Sequence, residues 1–223
     1  MLVKNHMSRD PVAASPDHTL ATALRLTREN RIRHLPVVSG GKLVGIISDR
    51  DIRLALPSPL SADALERQEF LDRTAVAEVM TREVITVGAA DTVEDAAKTL
   101  YRHRIGAVPV VDAHDRLLGI LTETDILHAF VEILGGSGPS TRLEVELPDR
   151  PGELARAVGI LGEELRLNIT SVLVPPVRSR GARTAILHVA TIDPREAIAA
   201  LEGAGYRVGW PSLEADLRRP VEV

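Results

Sequence analysis

The chain contains no cysteine. That excludes disulfides, thiolate catalysis and Cys-ligated zinc, and it fits a reducing cytoplasm. Aromatic residues are nearly as scarce, at 2% of 223 residues. The core must therefore be aliphatic, and there is no stacking platform for single-stranded nucleic acid. Positive charge is not in excess either. A net charge of −4 argues against general attraction to nucleic acid or to a membrane surface. Long apolar runs are missing: none approaches the length of a membrane span, and Met1–His6 leads into no signal-like apolar stretch. The expectation is a cytoplasmic protein. Catalytic patterns are also lacking. The seven histidines, at 6, 18, 34, 103, 114, 128 and 188, fall in no metal-ligand spacing, and there is no Gly-x-Ser-x-Gly elbow or P-loop. We expect neither catalytic residues nor a metal site, and no required cofactor.

What is present begins with a duplication. Residues 7–38 align with 80–111 without a gap, and nine of those 32 positions are identical, Met7/Met80, Thr19/Thr92, Arg31/Arg104 and Pro36-Val37-Val38/Pro109-Val110-Val111 among them. After one inserted residue, 42–52 aligns with 116–126, with five of 11 positions identical. Each copy reads as β-α-β-β-α. A short strand (12–14; 84–87) precedes a helix at about 18–30 and 92–104, with Ala and Leu at helical spacing on one face. Two strands follow, at 35–38 and 42–47, and at 108–111 and 116–121. A last helix begins near 49 and near 123. Neither copy is large enough to bury its apolar faces alone, so the two should pack on each other.

Both copies carry the same short motif at equivalent points: Gly45-Ile46-Ile47-Ser48-Asp49-Arg50-Asp51 and Gly119-Ile120-Leu121-Thr122-Glu123-Thr124-Asp125. Ser48-x-x-Asp51 and Thr122-x-x-Asp125 are capping boxes, a hydroxyl at the N-cap and a carboxylate at the third helical position. A hydroxyl and a carboxylate at a helix start also suit a phosphate and a ribose. Gly45 and Gly119 precede the strand ends, where backbone would be free to approach a ligand. Basic residues stand before the central strands, Arg31, Arg33 and His34 in one copy and Arg102, His103 and Arg104 in the other.

These motifs, each after a Leu35-Pro36-Val37 or Val108-Pro109-Val110 strand, resemble the signature of paired cystathionine-β-synthase (CBS) domains, the Bateman module. The resemblance covers residues 1–135. It implies adenine nucleotide binding, with Asp51 and Asp125 gripping ribose, Ser48 and Thr122 holding phosphate, and the bases near Ala13-Ala14 and Thr86-Val87. The two sites differ. The first has Arg50 inside the motif and Arg33-His34 before its strand, whereas the second has Thr124 and Gly106-Ala107. The first is expected to tolerate more phosphate charge.

Gly135–Ser140 is a Gly/Ser linker. Beyond it, 141–210 reads as βαββαβ, the ferredoxin-like order. Asp149-Arg150-Pro151-Gly152-Glu153-Leu154, with Asn168-Ile169 at the next strand, resembles the hallmark of ACT domains, although Arg166 stands where that family often has Gly. The resemblance implies an amino-acid site using Asp149, Arg150, Gly152 and Asn168, or a pairing surface without ligand. The expected fold is thus α+β, a tandem CBS pair followed by a ferredoxin-like ACT domain. The expected divisions are CBS copies at 1–60 and 76–134, a linker helix at 61–75, a linker at 135–140, the ACT domain at 141–212 and a tail at 213–223. That layout, with Ile32–Val38, Ser171–Val174 and Val208-Gly209-Trp210-Pro211, is similar to the acetoin utilisation protein B family. The function so implied is a non-catalytic regulatory sensor, paired as a homodimer and acting on a partner enzyme. The alternative is a ligand-free dimerisation scaffold or accessory subunit.

Overall fold

The computed structural model describes residues 1–60, 63–133, 139–176 and 182–210. The expected linker at 135–140 lies largely outside the described residues, and the tail at 213–223 wholly so. The chain divides into two compact units, Met1–His128 and Ala129–Val223. Among the described residues no helix is long and apolar enough to cross a membrane.

The first unit runs β1 (Ser8–Arg9), α1 (Leu20–Glu29), β2 (His34–Ser39), β3 (Lys42–Ser48), α2 (Asp49–Ala55), α3 (Ala64–Arg73), α4 (Val76–Val79), β4 (Val87–Gly88), α5 (Val93–His103), β5 (Ala107–Val111), β6 (Leu117–Thr122) and α6 (Glu123–Ile133). The last turn of α6 falls past the division. Helices α1 and α5 start where their threonines demand it: Thr19 Oγ1 accepts the Thr22 N–H, and Thr92 Oγ1 accepts the Asp95 N–H. Asp91, three residues before Glu94, does not cap α5; it accepts the Gly88 N–H instead. Matching positions fill the core of both copies. Leu20/Val93, Ala23/Ala96, Leu35/Val108, Val37/Val110, Ile47/Leu121 and Ile52/Ile126 are all buried. Each large aliphatic so buried contributes about 1.5–3 kcal/mol.

The copies are joined by an exchange of their leading segments. β1, from the first copy, pairs antiparallel with β6 of the second through Ser8↔Ile120. The equivalent Thr81, from the second copy, pairs with Ile46 on β3 of the first. Upstream the same exchange recurs. Val3 N–H donates to the Asp91 carbonyl and Val93 N–H to the Met1 carbonyl, while Val76 N–H donates to His18 and Leu20 N–H to Thr74. The first strand of each copy is correspondingly slight. Ala14 makes a single parallel bridge to Val37, and β4 has two residues beside β5. The strands expected at 12–14 and 84–87 are thus reduced to a bridge and a two-residue strand, each beside β2 or β5, on the edge opposite the exchanged segment.

The second unit runs β7 (Thr141–Pro148), α7 (Glu153–Gly159), a widened helical turn at Ile160–Glu164, β8 (Ile169–Leu173), β9 (Ala182–Val189), α8 (Arg195–Gly203) and β10 (Arg207–Trp210). The element order is the expected βαββαβ. Its four strands pair antiparallel in the order β10-β7-β9-β8. Leu143, Val145 and Leu147 alternate inward with Ala185, Leu187 and Val189, and meet Ala157, Leu161, Ile198 and Leu201 in one core. Tyr206 closes this core with its hydroxyl donating to Glu153 Oε2 at 2.9 Å.

Candidate functional site

Both motifs fold as capping boxes. Asp51 Oδ2 accepts the Ser48 N–H at 2.8 Å and the Ser48 hydroxyl at 2.6 Å, and the Asp51 N–H donates to Ser48 Oγ at 3.2 Å. Asp125 and Thr122 repeat this at 2.8, 2.7 and 3.3 Å. The first helical amide is also used: Asp49 N–H donates to the Arg33 carbonyl and Glu123 N–H to the Gly106 carbonyl. The Ser48 hydroxyl proton is therefore committed to Asp51, while Asp51 Oδ1 keeps acceptor capacity. Acceptor capacity without a donor suits a vicinal diol.

The motif glycines serve a different end from the one expected. A Cβ on Gly45 would overlap the Met80 sulfur and come within 3.1 Å of the Thr81 carbonyl oxygen, and a Cβ on Gly119 would lie 2.7 Å from the Met7 sulfur and 2.8 Å from the Ser8 carbonyl oxygen. The chain that approaches these glycines is the exchanged segment of the other copy, not a ligand. A side chain there would push that segment off the sheet.

Beside the first motif lies a cavity of about 600 Å³. From the first copy it takes Arg33, His34, Ser48, Asp49, Arg50, Asp51 and Arg53; from the second, Thr81, Glu83–Ile85, Arg104–Ala107 and Glu123. The structure thus brings Ser48, Arg50, Asp51, Arg33 and His34 together. Ala13, Thr86, Thr122, Thr124 and Asp125 are not in this wall. Ala13 precedes Ala14, whose N–H and carbonyl are bonded to β2, and Thr86 is exposed. Where a base was expected against the first copy's own leading strand, the exchange puts Thr81 and Glu83–Ile85 of the second. Arg104, Glu83 and Glu123 were not foreseen as walls, because only the exchange reveals that the second copy lines the first copy's motif.

The charges in this wall are unevenly satisfied. Arg53 pairs with Asp49 at 2.8 Å. Arg33, Arg50 and Arg104 have no ion-pair partner among the described residues, and neither have Glu83 and Glu123. Arg104 also holds a left-handed backbone (φ 55, ψ 42) at the end of α5, which costs a non-glycine residue roughly 1 kcal/mol. His34 stands directly across the β2–β3 pair from Ser48. Its ring lies over Gly106, 3.1–3.3 Å from where a Cβ would sit. Burial, helped by Arg33, pushes the His34 pKa below its ordinary 6.5, against the pull of Asp49, Asp51 and Glu123. Among the described residues no group of His, Asp and Glu is arranged to hold a metal ion.

Comparison with known proteins places this geometry. The family model described as the CBS domain matches residues 3–58 and 76–132, both copies in full. The chain belongs to the CBS-domain family. An uncharacterized protein of Methanocaldococcus jannaschii is 37% identical over 155 residues, covering 59% of this chain and 92% of that protein. Inosine-5'-monophosphate dehydrogenase of Korarchaeum cryptofilum is 30% identical over 212 residues, 90% of this chain and 42% of that enzyme, so CBS pairs also sit within enzymes. Among solved structures, the CBS domain pair of protein MJ0100, in complex with 5'-methylthioadenosine and S-adenosyl-L-methionine, is 34% identical with a TM-score of 0.51. It is matched over 97% of its length and 59% of this chain. A Vibrio cholerae protein assigned to acetoin utilization is 32% identical with a TM-score of 0.50, over 60% of this chain and 93% of that one.

Outside the CBS copies, the second unit has a cavity of about 440 Å³ lined by Leu147–Leu154, Val174 and Arg183. Asp149, Arg150 and Gly152 are in its wall. Asn168 is not: it is exposed, and its carbonyl accepts the Ala190 N–H. Asp149 accepts from Arg183 Nε at 2.5 Å, a residue unmarked by the sequence motif. Gly152 has φ +89 at the start of α7, and Arg166 has φ +54. Arg166 therefore keeps the backbone that a glycine would adopt without strain.

Proposed function

We propose that the chain is a non-catalytic regulatory sensor whose CBS pair binds an adenosine-class ligand in the cavity beside Asp51. The observation that carries this is the cavity itself. It joins the carboxylate of one capping box to three unpaired guanidinium groups drawn from both copies, at a volume ordinary for small-molecule sites. The ligands of the MJ0100 pair support the adenosine class. In this reading Asp51 accepts from ribose hydroxyls and Arg33, Arg50 and Arg104 hold the 5' substituent. Ser48 serves first as the cap that fixes Asp51. Ala13, Thr86, Thr122, Thr124 and Asp125 would serve a second site in the other copy.

The second unit is, in the same proposal, an ACT domain. Its strand order and the Asp149–Leu154 loop support that reading, with Asp149, Arg150, Gly152 and Arg183 around an amino-acid ligand. Asn168 would contribute only across a domain pair. We further propose a homodimer acting on a partner enzyme, and a role in acetoin utilisation on the strength of the Vibrio cholerae relative. The internally satisfied boxes favour one alternative, a ligand-free scaffold.

Isothermal titration calorimetry of the full chain with AMP, ADP, ATP and S-adenosylmethionine tests the sensor reading. At least one should bind, and Asp51→Ala should weaken it by about 1–3 kcal/mol. No binding by any of the four would leave the scaffold.

A further inference from the structure

The MJ0100 pair takes both a neutral thioether and a cationic sulfonium, so the class of 5' substituent is an open property of this site. Within the cavity wall, Arg53 neutralises Asp49, and Asp51 is engaged by its own box. With that pair included, the wall sets Arg33, Arg50, Arg53 and Arg104 against Asp49, Asp51, Glu83 and Glu123, an even balance of charge. His34 is the group able to tip that balance. Its ring makes no hydrogen bond among the described residues, although it is half-buried, stands across from Ser48 and lies over Gly106. The charged groups around it come from every neighbouring element: Arg33 just before its own strand, Asp49, Asp51, Arg50 and Arg53 from α2, Arg104 from the end of α5, Glu123 from the start of α6, and Glu83 just after the exchanged segment.

We propose that His34 reads the charge of the bound ligand, taking up a proton when a phosphate-bearing adenosine compound enters and so selecting it over neutral or sulfonium analogues. This rests on the adenosine reading of the cavity and deepens it. Without ligand, a half-buried imidazole beside Arg33 stays neutral near pH 7. A dianionic phosphate in the same cavity reverses the balance, because an opposite charge within a few ångströms favours the protonated ring. The ring then gains a partner for an N–H that has none. A ligand that ends in a thioether supplies no such charge, and a sulfonium opposes the protonation. The second copy has Ala107 at the equivalent place, opposite Thr122, so it has no counterpart of the device.

The sign of the pH dependence follows. Affinity for the phosphate ligand falls as pH rises through the pKa of His34 in the complex, and is flat below the pKa of the free protein, where the ring is charged in both states.

Calorimetry of the full chain with AMP and with 5'-methylthioadenosine, at about pH 7.5 where the phosphate is already dianionic, in buffers of low and high ionisation enthalpy, tests the proposal. Wild type should take up a fraction of a proton with AMP and none with 5'-methylthioadenosine. His34→Gln should abolish the uptake and weaken AMP about tenfold, the worth of one charge-assisted hydrogen bond, leaving the thioether ligand within about twofold. His34→Arg should keep AMP affinity without uptake. Equal proton uptake in wild type and His34→Gln overturns the inference, as does equal weakening of both ligands. Binding of 5'-methylthioadenosine but not AMP by wild type overturns it while leaving the adenosine site standing. Binding of neither overturns both.

Discussion

The two CBS copies agree in what holds them together and differ in what they present. Their buried positions match pair for pair, their capping boxes match to about 0.1 Å, and each accepts the other's leading segment at the same register. The differences gather around one cavity. Arg33, His34 and Arg50 of the first copy stand where the second has Gly106, Ala107 and Thr124. Packing and capping punish change in both copies equally, because a lost cap or an overfilled core costs stability wherever it occurs. The cavity wall is under no such symmetry, so the copies are free to divide the work: one offers two guanidinium groups and an imidazole, the other Arg104 and the small Gly106 that leaves room for the imidazole.

The strongest way to break this comparison is at the shared glycines. Gly119→Ala should destabilise by about 3 kcal/mol, the upper range for overpacking, because its Cβ meets the Ser8 carbonyl oxygen, which is backbone. Gly45→Ala should cost less, about 1–2 kcal/mol, since the Met80 side chain is flexible enough to yield. Urea denaturation midpoints measure both, and two unchanged midpoints would mean that the segments are not exchanged as described.

Next come the paired carboxylates. Asp51→Ala and Asp125→Ala should each lose about 1 kcal/mol of stability as caps. Only Asp51→Ala should also weaken AMP at the first site, by about 1–3 kcal/mol. Denaturation and calorimetry on the same two proteins separate cap from contact, and equal binding losses would erase the asymmetry between copies.

A smaller effect is expected at Gly106→Ala. The new methyl would press the His34 ring from 3.1 Å, so the ring must give by a few tenths of an ångström. AMP affinity should drop by roughly two- to fivefold, within the cost of mild overpacking, and the reverse change one residue on, Ala107→Gly, should leave it alone. The smallest effect is on the free protein in acid. His34 and, in the second unit, His188 have pKa values held below 6.5, largely by burial. Each contributes stability that is complete above about pH 6.5 and is lost as pH falls toward the depressed native value. A melting-temperature profile should therefore sag below about pH 6.5, less so in His34→Gln, and saturating AMP should flatten it.

Much of this was legible in the residues because the signals are local. Pro36-Val37-Val38 and its repeat announce central strands, Ser48-x-x-Asp51 and Thr122-x-x-Asp125 announce helix starts, and alternation at Leu143, Val145 and Leu147 announces β7. The capping box of α3, in which Asp63 takes the Leu65 and Glu66 amides, fell inside a helix expected from residue 61. What was not legible depends on partners far along the chain. β1 and β4 have two residues each, too short to carry a period; the partner of β1 is more than a whole repeat away, and that of β4 lies beyond α5. The same distance hid Arg104, Glu83 and Glu123 from the cavity. It also made Gly45 and Gly119 look like openings for a ligand, when they are seats for Met80 and Met7. Arg183 is hidden for the plainer reason that an ion pair across two strands leaves no mark in either one.

The exchanged segments also bear on what a single copy would be. Residues 74–82 complete the first copy and residues 1–9 complete the second, so a cut in the connection after Leu56 would not release two finished domains. Each piece would carry the edge its neighbour needs and lack its own. Two pieces made separately would have to find one another before either sheet was whole, which makes the pair, rather than the repeat, the smallest unit that folds.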